Sequence, residues 1–201
     1  MLDFLVRGAR VYDGSGAKNF QADVGVRDGV IAEVGSVKDA ARRTVDADGL
    51  ALMPGIVDIH THYDAQVTWD PTLSPSVALG VTTAVMGNCG FGIAPCPPAL
   101  RETLLRNLSV VEGMDVDALL AGTQWDFETF PQYLDTLQRR RPLGNVAVLA
   151  QHSTIRHAVS VASGKAAAIA GGVPAGITRT FASGTTTYSA RVPGRCSPRS
   201  L

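Results

Sequence analysis

The sequence predicts an α/β protein in which a small N-terminal β-sandwich precedes an incomplete (β/α) barrel of three strands. Short strands separated by Asp-Gly turns fill residues 1–54. From residue 55 onward, apolar strands alternate with amphipathic helices, which is typical of a parallel sheet. Beyond about residue 156 the apolar periodicity disappears. We therefore predict a β-sandwich domain (1–54), a partial barrel (55–156) and a tail (157–201) that is disordered or read from a shifted frame.

The first domain is predicted from the turn residues between its apolar segments. Asp13-Gly14, Asp28-Gly29 and Asp48-Gly49 each separate two such segments. Asp-Gly is a strong hairpin signal because the turn requires positive φ angles. The strands between these turns are predicted at residues 2–7, 10–12, 22–27, 30–34, 44–46 and 50–53. Their apolar residues are expected to pack together and not to bind ligands.

The barrel strands begin where the pattern changes, after Pro54-Gly55. Residues 56–59 are apolar except for Asp58, as expected for a parallel strand buried on both faces. Two further apolar runs, at 81–86 and 145–150, predict the second and third strands.

Two helices are predicted between the second and third strands. One begins after Asp126, a residue type that often caps a helix N-terminus. The other spans residues 99–111 and has a helical apolar face made of Leu100, Leu104, Leu108 and Val111.

Composition and charge exclude several classes of protein. Hydrophobic residues make up 45% and charged residues 18% of the chain, as in a globular protein. Charged residues interrupt the N-terminus, and no apolar run approaches the roughly 18–20 residues of a membrane span. Three cysteines without CxxC spacing argue against a disulfide framework, and Cys96 and Cys196 are expected to be structural. The sequence therefore predicts a cytoplasmic protein without a membrane partner.

The charge is distributed unevenly along the chain. All 18 acidic residues lie at or before Asp135, whereas the positive charges continue into the tail. A nucleic-acid-binding tail would require clustered Arg and Lys with interleaved aromatics. The positive charges here are sparse and lie among Ala, Gly, Ser and Thr, so no nucleic-acid partner is predicted.

Two histidines end the first barrel strand, and they are the strongest candidates for a functional site. His60 and His62 are two residues apart, so strand alternation places both imidazoles on the same face. The carboxyl ends of barrel strands form the active-site face, and neutral imidazole suits Zn²⁺. The alternative is a pair of structural histidines. Asp58 shares their face and is either a partner of a metal-binding histidine or a buried capping carboxylate.

Cys89 and His152 follow the second and third strands, respectively. Cys89 lies among glycines that allow close backbone approach. Its thiolate would reach the same metal, although spacing alone favours a small buried side chain. His152 either contacts a substrate or is an ordinary histidine at a strand end, and His157 is expected to have no role.

The segment from Met53 to His62 resembles the entry motif of the amidohydrolase superfamily. Further motifs resemble the N-acyl-D-amino-acid deacylase, or D-aminoacylase, branch, and the resemblance runs from residue 1 to about residue 156. These motifs are Tyr63-Asp64-Ala65-Gln66, Met86-Gly87-Asn88-Cys89-Gly90-Phe91, Val111-Glu112-Gly113-Met114 and Trp125-Asp126-Phe127-Glu128-Thr129-Phe130.

The resemblance implies a metal-dependent hydrolase with a TIM barrel. It implies zinc held by His60, His62 and Cys89, with a small N-acyl-D-amino acid as substrate. The implied reaction is hydrolysis of that substrate's amide bond. A hydantoinase or dihydroorotase is a less favoured alternative, because those enzymes usually bridge two metals with a modified lysine where this sequence has Cys89.

The family also uses two further histidines and an aspartate base from later strands, and no residues here match them. No histidine follows His157 and no acidic residue follows Asp135. A complete barrel takes about 250 residues, more than the 201 present. For this polypeptide alone, the sequence therefore favours a truncated, inactive product that retains some affinity for zinc and has no encoded catalytic base.

Overall fold

The computed structural model of the chain describes residues 1–163 and has a mixed α/β fold, as predicted. The described residues fall into two compact units, one covering Met1–Gly55 and the other beginning at Ile56. The eight strands of this part are β1 Leu2–Val11, β2 Phe20–Arg27, β3 Val30–Gly35, β4 Ala41–Asp46, β5 Ala51–Leu52, β6 Ile56–Thr61, β7 Val81–Met86 and β8 Asn145–Val148. The five α-helices are α1 Tyr63–Gln66, α2 Arg101–Glu112, α3 Val116–Gly122, α4 Phe130–Arg140 and α5 His152–Ala162.

The N-terminal unit forms one five-stranded sheet in its described residues, so the predicted two-sheet sandwich is not observed there. The order is β3-β2-β1-β4, and β5 also pairs with β1. The cause is the length of β1, which joins two predicted strands into one of ten residues. Its first part pairs with β4 and its last two residues, Arg10 and Val11, pair with β5. All the strands therefore gather in one layer around β1.

The Asp-Gly turns do not all close hairpins. Asp28 and Gly29 have φ angles of 53° and 76° and join the antiparallel strands β2 and β3, as predicted. Asp48 and Gly49 have similar positive φ angles, but β4 and β5 on either side both run parallel to β1. The prediction of a hairpin at Asp48-Gly49 is therefore wrong, because β4 and β5, on either side of this turn, run in the same direction.

The second unit is built on a parallel sheet in the order β6-β7-β8. The three predicted strands are all present, and both pairings are parallel. One face of β7 and β8 is buried beneath the helices through Ala84, Met86, Val146 and Val148. These side chains belong to a core that also contains Leu73, Ile93, Leu104, Leu105, Leu108, Leu119, Phe127, Tyr133 and Leu137.

Strand β6 is an edge strand of this sheet and is largely exposed. The prediction that it is buried on both faces is wrong, because 51% of Ile56, 55% of Val57 and 65% of Ile59 are exposed. Among the described residues β6 pairs only with β7. A strand buries both faces only when neighbours cover them, and β6 lacks such cover here.

The helices differ from the prediction mainly at their ends. Helix α4 begins after Thr129, whose hydroxyl accepts a hydrogen bond from the backbone of Gln132 in a capping box. Asp126 is therefore not the N-cap. It bonds instead to Arg139 and to Thr136 farther along the helix. The buried face of α2 contains Leu105 in place of the exposed Val111.

The predicted boundary at residue 156 falls inside α5, so residues 157–162 belong to a helix and not to a tail. The disorder or frame shift predicted for the rest of the tail concerns residues outside the described part. None of the helices within residues 1–163 is long and apolar enough to cross a membrane.

Gly87, directly after β7, is expected to be essential to the packing of the second unit. It has a φ of +84°, and a Cβ there would lie 2.7 Å from the Leu149 carbonyl oxygen. Gly113 has a φ of +66° with open space around it. Gly113→Ala should lower the free energy of unfolding by about 1–2 kcal/mol, because alanine is strained at this φ angle. Gly87→Ala should suffer the same strain and lose about 1–3 kcal/mol beyond it, because its Cβ also clashes with the Leu149 carbonyl. Urea unfolding of both variants measures the difference, and equal losses would contradict the expected clash.

Candidate metal centre

The structure brings His60, His62 and Cys89 together. His60 lies near the end of β6, His62 immediately precedes α1, and Cys89 lies in the loop after β7. One potential ligand atom from each residue lies within 4.8 Å of the other two. The Cys89 Sγ is 3.3 Å from the His62 Nε2. Two strand ends therefore deliver two imidazoles and a thiol to one point.

Hydrogen bonds fix the loop that carries Cys89. The Asn88 side chain donates to the carbonyl of Ile59, 3.0 Å away on β6. The backbone N–H of Ser153 donates to the Gly90 carbonyl at 2.9 Å, which ties the loop to the start of α5. The backbone N–H of Phe91 donates to the Cys89 Sγ at 3.3 Å, which orients the sulfur within the loop.

Two of the three candidate ligands, His60 and His62, line an open cavity of about 380 Å³. Its lining includes His60, His62, Asp58 and Glu112. His60 is exposed, whereas His62 and Cys89 are half-buried. The cavity is large enough for a small molecule to reach the histidines from solvent.

Glu112 belongs to this site although the sequence did not assign it a role. Its Oε1 lies 3.1 Å from the His62 Nε2. As the last residue of α2 it is at the negative end of the helix dipole, where a carboxylate is unfavourable. An acidic residue just before the left-handed Gly113 is the one local signal that would have pointed to it.

Asp64 is the second residue that sequence analysis missed. Its side chain is fully buried, and one oxygen, Oδ1, accepts from the Gln151 Nε2 at 2.9 Å. The other oxygen, Oδ2, lies 3.6 Å from the His62 Nδ1. The pKa of Asp64 is raised to about 7, chiefly by burial and also by the nearby Glu112, against the lowering effect of a backbone hydrogen bond.

The electrostatics at His62 favour the neutral ring. Burial is the largest effect and lowers the pKa of His62, and the neighbouring His60 lowers it as well. Glu112 acts in the opposite direction. A neutral imidazole is the form that binds a metal ion.

Asp58 and His152 are the other two predicted site residues. Asp58 is half-buried and accepts a hydrogen bond from the backbone N–H of His60 at 3.2 Å, and its role remains a prediction. His152 does not end a strand, because β8 ends at Val148 and His152 is the first residue of α5. It is exposed and lies beside Gly90, next to the Cys89 loop.

The donor set fits zinc. Zinc prefers imidazole nitrogen and thiolate sulfur, and catalytic zinc sites commonly have three protein ligands and one open position. Three such donors lie together here, and the two histidines line an open cavity. Parallel strands with metal donors at their carboxyl ends are the arrangement of a metal-dependent hydrolase on a (β/α) scaffold.

The chain belongs to the amidohydrolase family, whose sequence profile matches residues 43–187. The match extends past residue 156, where the resemblance was expected to end. A D-aminoacylase from Alcaligenes xylosoxydans xylosoxydans is 38% identical over 162 residues, which are 78% of this chain and 30% of that protein. An N-acyl-D-aspartate deacylase from the same organism is 36% identical, over 82% of this chain and 31% of its own.

A solved structure with the same fold is that of an N-acyl-D-glutamate deacylase from Bordetella bronchiseptica, in complex with zinc and a phosphonate inhibitor that mimics the tetrahedral intermediate. It matches with a TM-score of 0.64 and 37% identity, over 77% of this chain and 30% of that one. The predicted resemblance to the D-aminoacylase branch is therefore confirmed. This chain spans about 30% of the length of the relatives it matches.

Proposed function

We propose that this chain carries part of the zinc site of an enzyme that hydrolyses the amide bond of N-acyl-D-amino acids. The observation that carries the proposal is the cluster of His60, His62 and Cys89, whose donor atoms lie within 4.8 Å of one another. The substrate class follows the relatives, which are named as a D-aminoacylase and as deacylases of N-acyl-D-amino acids. The hydantoinase or dihydroorotase alternative is less well supported. A relative named as a D-hydantoinase is 30% identical over 56% of this chain, whereas the D-aminoacylase is 38% identical over 78% of it.

Zinc bound by these donors would supply a Lewis acid that activates the amide carbonyl and the attacking water. The protein groups around it have separate tasks. Cys89 presents its sulfur on a loop tied to β6 by Asn88, which limits the movement of the sulfur. Glu112 faces the cavity, where its Oε1 is placed to accept a proton.

The exposed edge of β6 favours a second candidate, a polypeptide that binds zinc without turning over substrate. Ile56, Val57 and Ile59 are all more than half exposed. Exposed apolar side chains on a strand that carries a metal donor leave that donor poorly held, and catalysis requires ligands held to within about 0.5 Å. Zinc binding tolerates such freedom better than catalysis does.

Zinc content and turnover distinguish the two candidates. The chain is purified, loaded with zinc and dialysed, and acetate release is measured with N-acetyl-D-leucine and N-acetyl-L-leucine. Zinc-dependent release from the D-substrate that is lost in His60→Ala establishes the deacylase. Bound zinc without release establishes the second candidate. A chain that retains no zinc would refute both.

The matched control is His157→Ala. His157 lies on α5 and its ring contacts the backbone carbonyl of Ser153, so this substitution removes an imidazole outside the donor cluster. We expect His157→Ala to bind zinc as the parent chain does and His60→Ala to lose most of its zinc.

A further inference from the structure

The loop that carries Cys89 begins and ends on one buried side chain. This loop, residues 87–92, follows β7, and a glycine stands at each of its ends. A Cβ at Gly87 would lie 2.8 Å from the Gln151 Cγ, and a Cβ at Gly92 would lie 2.5 Å from the Gln151 Cδ. Both distances are too short for a real Cβ, so only glycine lets the backbone lie directly on Gln151 at each end.

Gln151 is itself firmly held. It is fully buried and lies between the end of β8 and the first residue of α5. Its backbone carbonyl accepts a hydrogen bond from the Ile155 N–H at 3.2 Å, and its side-chain Nε2 donates to the Asp64 Oδ1 at 2.9 Å. A side chain that is fixed through both its backbone and its amide gives the loop a rigid support.

Other contacts join the same stretch of chain to the start of α5. The Ser153 N–H donates to the Gly90 carbonyl at 2.9 Å, and the Thr154 hydroxyl donates to the Ala94 carbonyl at 2.8 Å. The Cys89 Sγ lies within this held segment, 3.3 Å from the His62 Nε2. The place of the sulfur therefore depends on the chain after β8 as well as on β6 and β7.

We propose that Gln151 is a positioning residue for Cys89. Its side chain supports both ends of the loop and so keeps the sulfur beside the two histidines. The contacts with Gly87 and Gly92 involve Cγ, Cδ and Nε2, so the role depends on the length and volume of the side chain. Zinc binding by the positioned sulfur rests on the proposed function, whereas the position of the loop is a property of the metal-free chain.

The reactivity of the Cys89 thiol in the metal-free, full-length chain reports the position of the loop. Iodoacetamide is added at a fixed pH, and mass spectrometry of the digested chain measures the modification of each cysteine. Gln151→Ala removes the support, and we expect Cys89 to react several-fold faster than in the parent chain. Cys96 is fully buried in the core, so an unchanged rate at Cys96 shows that the movement is local.

Gln151→Met separates positioning from a general effect on stability. Methionine has a side chain of similar length and volume, but it cannot donate to Asp64. Both variants lose the hydrogen bond to Asp64, yet only Gln151→Ala removes the support. We therefore expect Cys89 in Gln151→Met to react as it does in the parent chain.

Zinc affinity and the cobalt spectrum test the consequence for the metal. Gln151→Ala should weaken zinc binding about 10–100-fold, as the loss of a group that orients a ligand does, and should reduce the sulfur-to-cobalt absorption band. Gln151→Met should keep both. Thr136→Val is the control, because Thr136 is fully buried in the same unit and its hydroxyl bonds to Asp126. It should change neither measurement.

Gln151→Asn keeps the test decisive if Gln151→Ala does not fold. It shortens the side chain by one methylene and should raise the reactivity of Cys89 by a smaller amount. Equal reactivity of Cys89 in the parent chain and in every folded Gln151 variant would overturn the proposal. A Ser153 amide that exchanges freely with solvent in the parent chain would overturn it as well.

The metal-free and metal-bound measurements separate this proposal from the proposed function. Cys89 reactivity that depends on Gln151, in a chain that binds no zinc, supports the positioning role and refutes the zinc site. Equal zinc affinity and an equal sulfur-to-cobalt band in the parent chain and in Gln151→Ala support the zinc site and refute the positioning role.

Discussion

Replacing Tyr133 by alanine is expected to destabilise the second unit by about 3–5 kcal/mol, the range for removing a large aromatic side chain from a core. Tyr133 is fully buried and packs edge-on against Phe127, with ring centroids 4.9 Å apart. Its hydroxyl also bonds to the carbonyl of Asp64. The free energy of unfolding of a folded domain is only about 5–15 kcal/mol, so this loss would remove a large fraction of it.

The contributions of the ring and the hydroxyl are separated by Tyr133→Phe. This variant keeps the ring and leaves the Asp64 carbonyl without its donor, which should cost about 1–3 kcal/mol. Leu143, which is 66% exposed and lies in the same unit as Tyr133, is the control, and Leu143→Ala should change stability far less. Urea unfolding followed by tryptophan fluorescence suits the measurement, since both tryptophans, Trp69 and Trp125, lie in the second unit. Similar midpoints for the two alanine variants would show that Tyr133 is not a core anchor.

Replacing Cys89 by serine is expected to weaken zinc binding by about 100-fold or more, since the loss of a ligand should exceed the 10–100-fold effect of losing an outer hydrogen bond. The hydroxyl of serine is not ionised near neutral pH and is a poor zinc ligand. The same variant, loaded with cobalt, should lose the sulfur-to-metal absorption band. Competition with a chromophoric chelator measures the affinity.

Cys96→Ala is the control for Cys89→Ser. Cys96 is fully buried in the core of the second unit, where burial raises the pKa of its thiol to about 12, and it lies outside the donor cluster. This variant should keep both the affinity and the absorption band. A chain that retains the band after Cys89→Ser would show that the metal is bound elsewhere.

The sequence predicts the donor cluster well because its signals are local. His60 and His62 are two residues apart at the end of an apolar strand, and Cys89 follows the next strand. Parallel strands bring such positions to the same edge of a sheet. The same logic predicts β6, β7 and β8, whose apolar runs are bounded by turn residues.

Asp64 and Glu112 escape prediction because their roles depend on tertiary contacts. Asp64 follows His62 by two residues, yet its burial depends on Gln151, 87 positions away in the chain. Glu112 reaches His62 only because α2 ends beside the cavity. The exposure of β6 also could not be predicted from its own residues. Whether an apolar strand is buried depends on the strands and helices that pack against it.

The open edge of β6 links metal affinity to local unfolding. His60 lies on a strand with one hydrogen-bonded neighbour in the described part of the chain, and such strands open at a lower free-energy cost than the core. A metal that binds only the closed strand resists this opening, by about 2.7 kcal/mol at a concentration roughly 100 times its Kd. Amide hydrogen exchange along β6 would therefore slow as metal is added, and the strand that carries a zinc donor would owe much of its order to the ion.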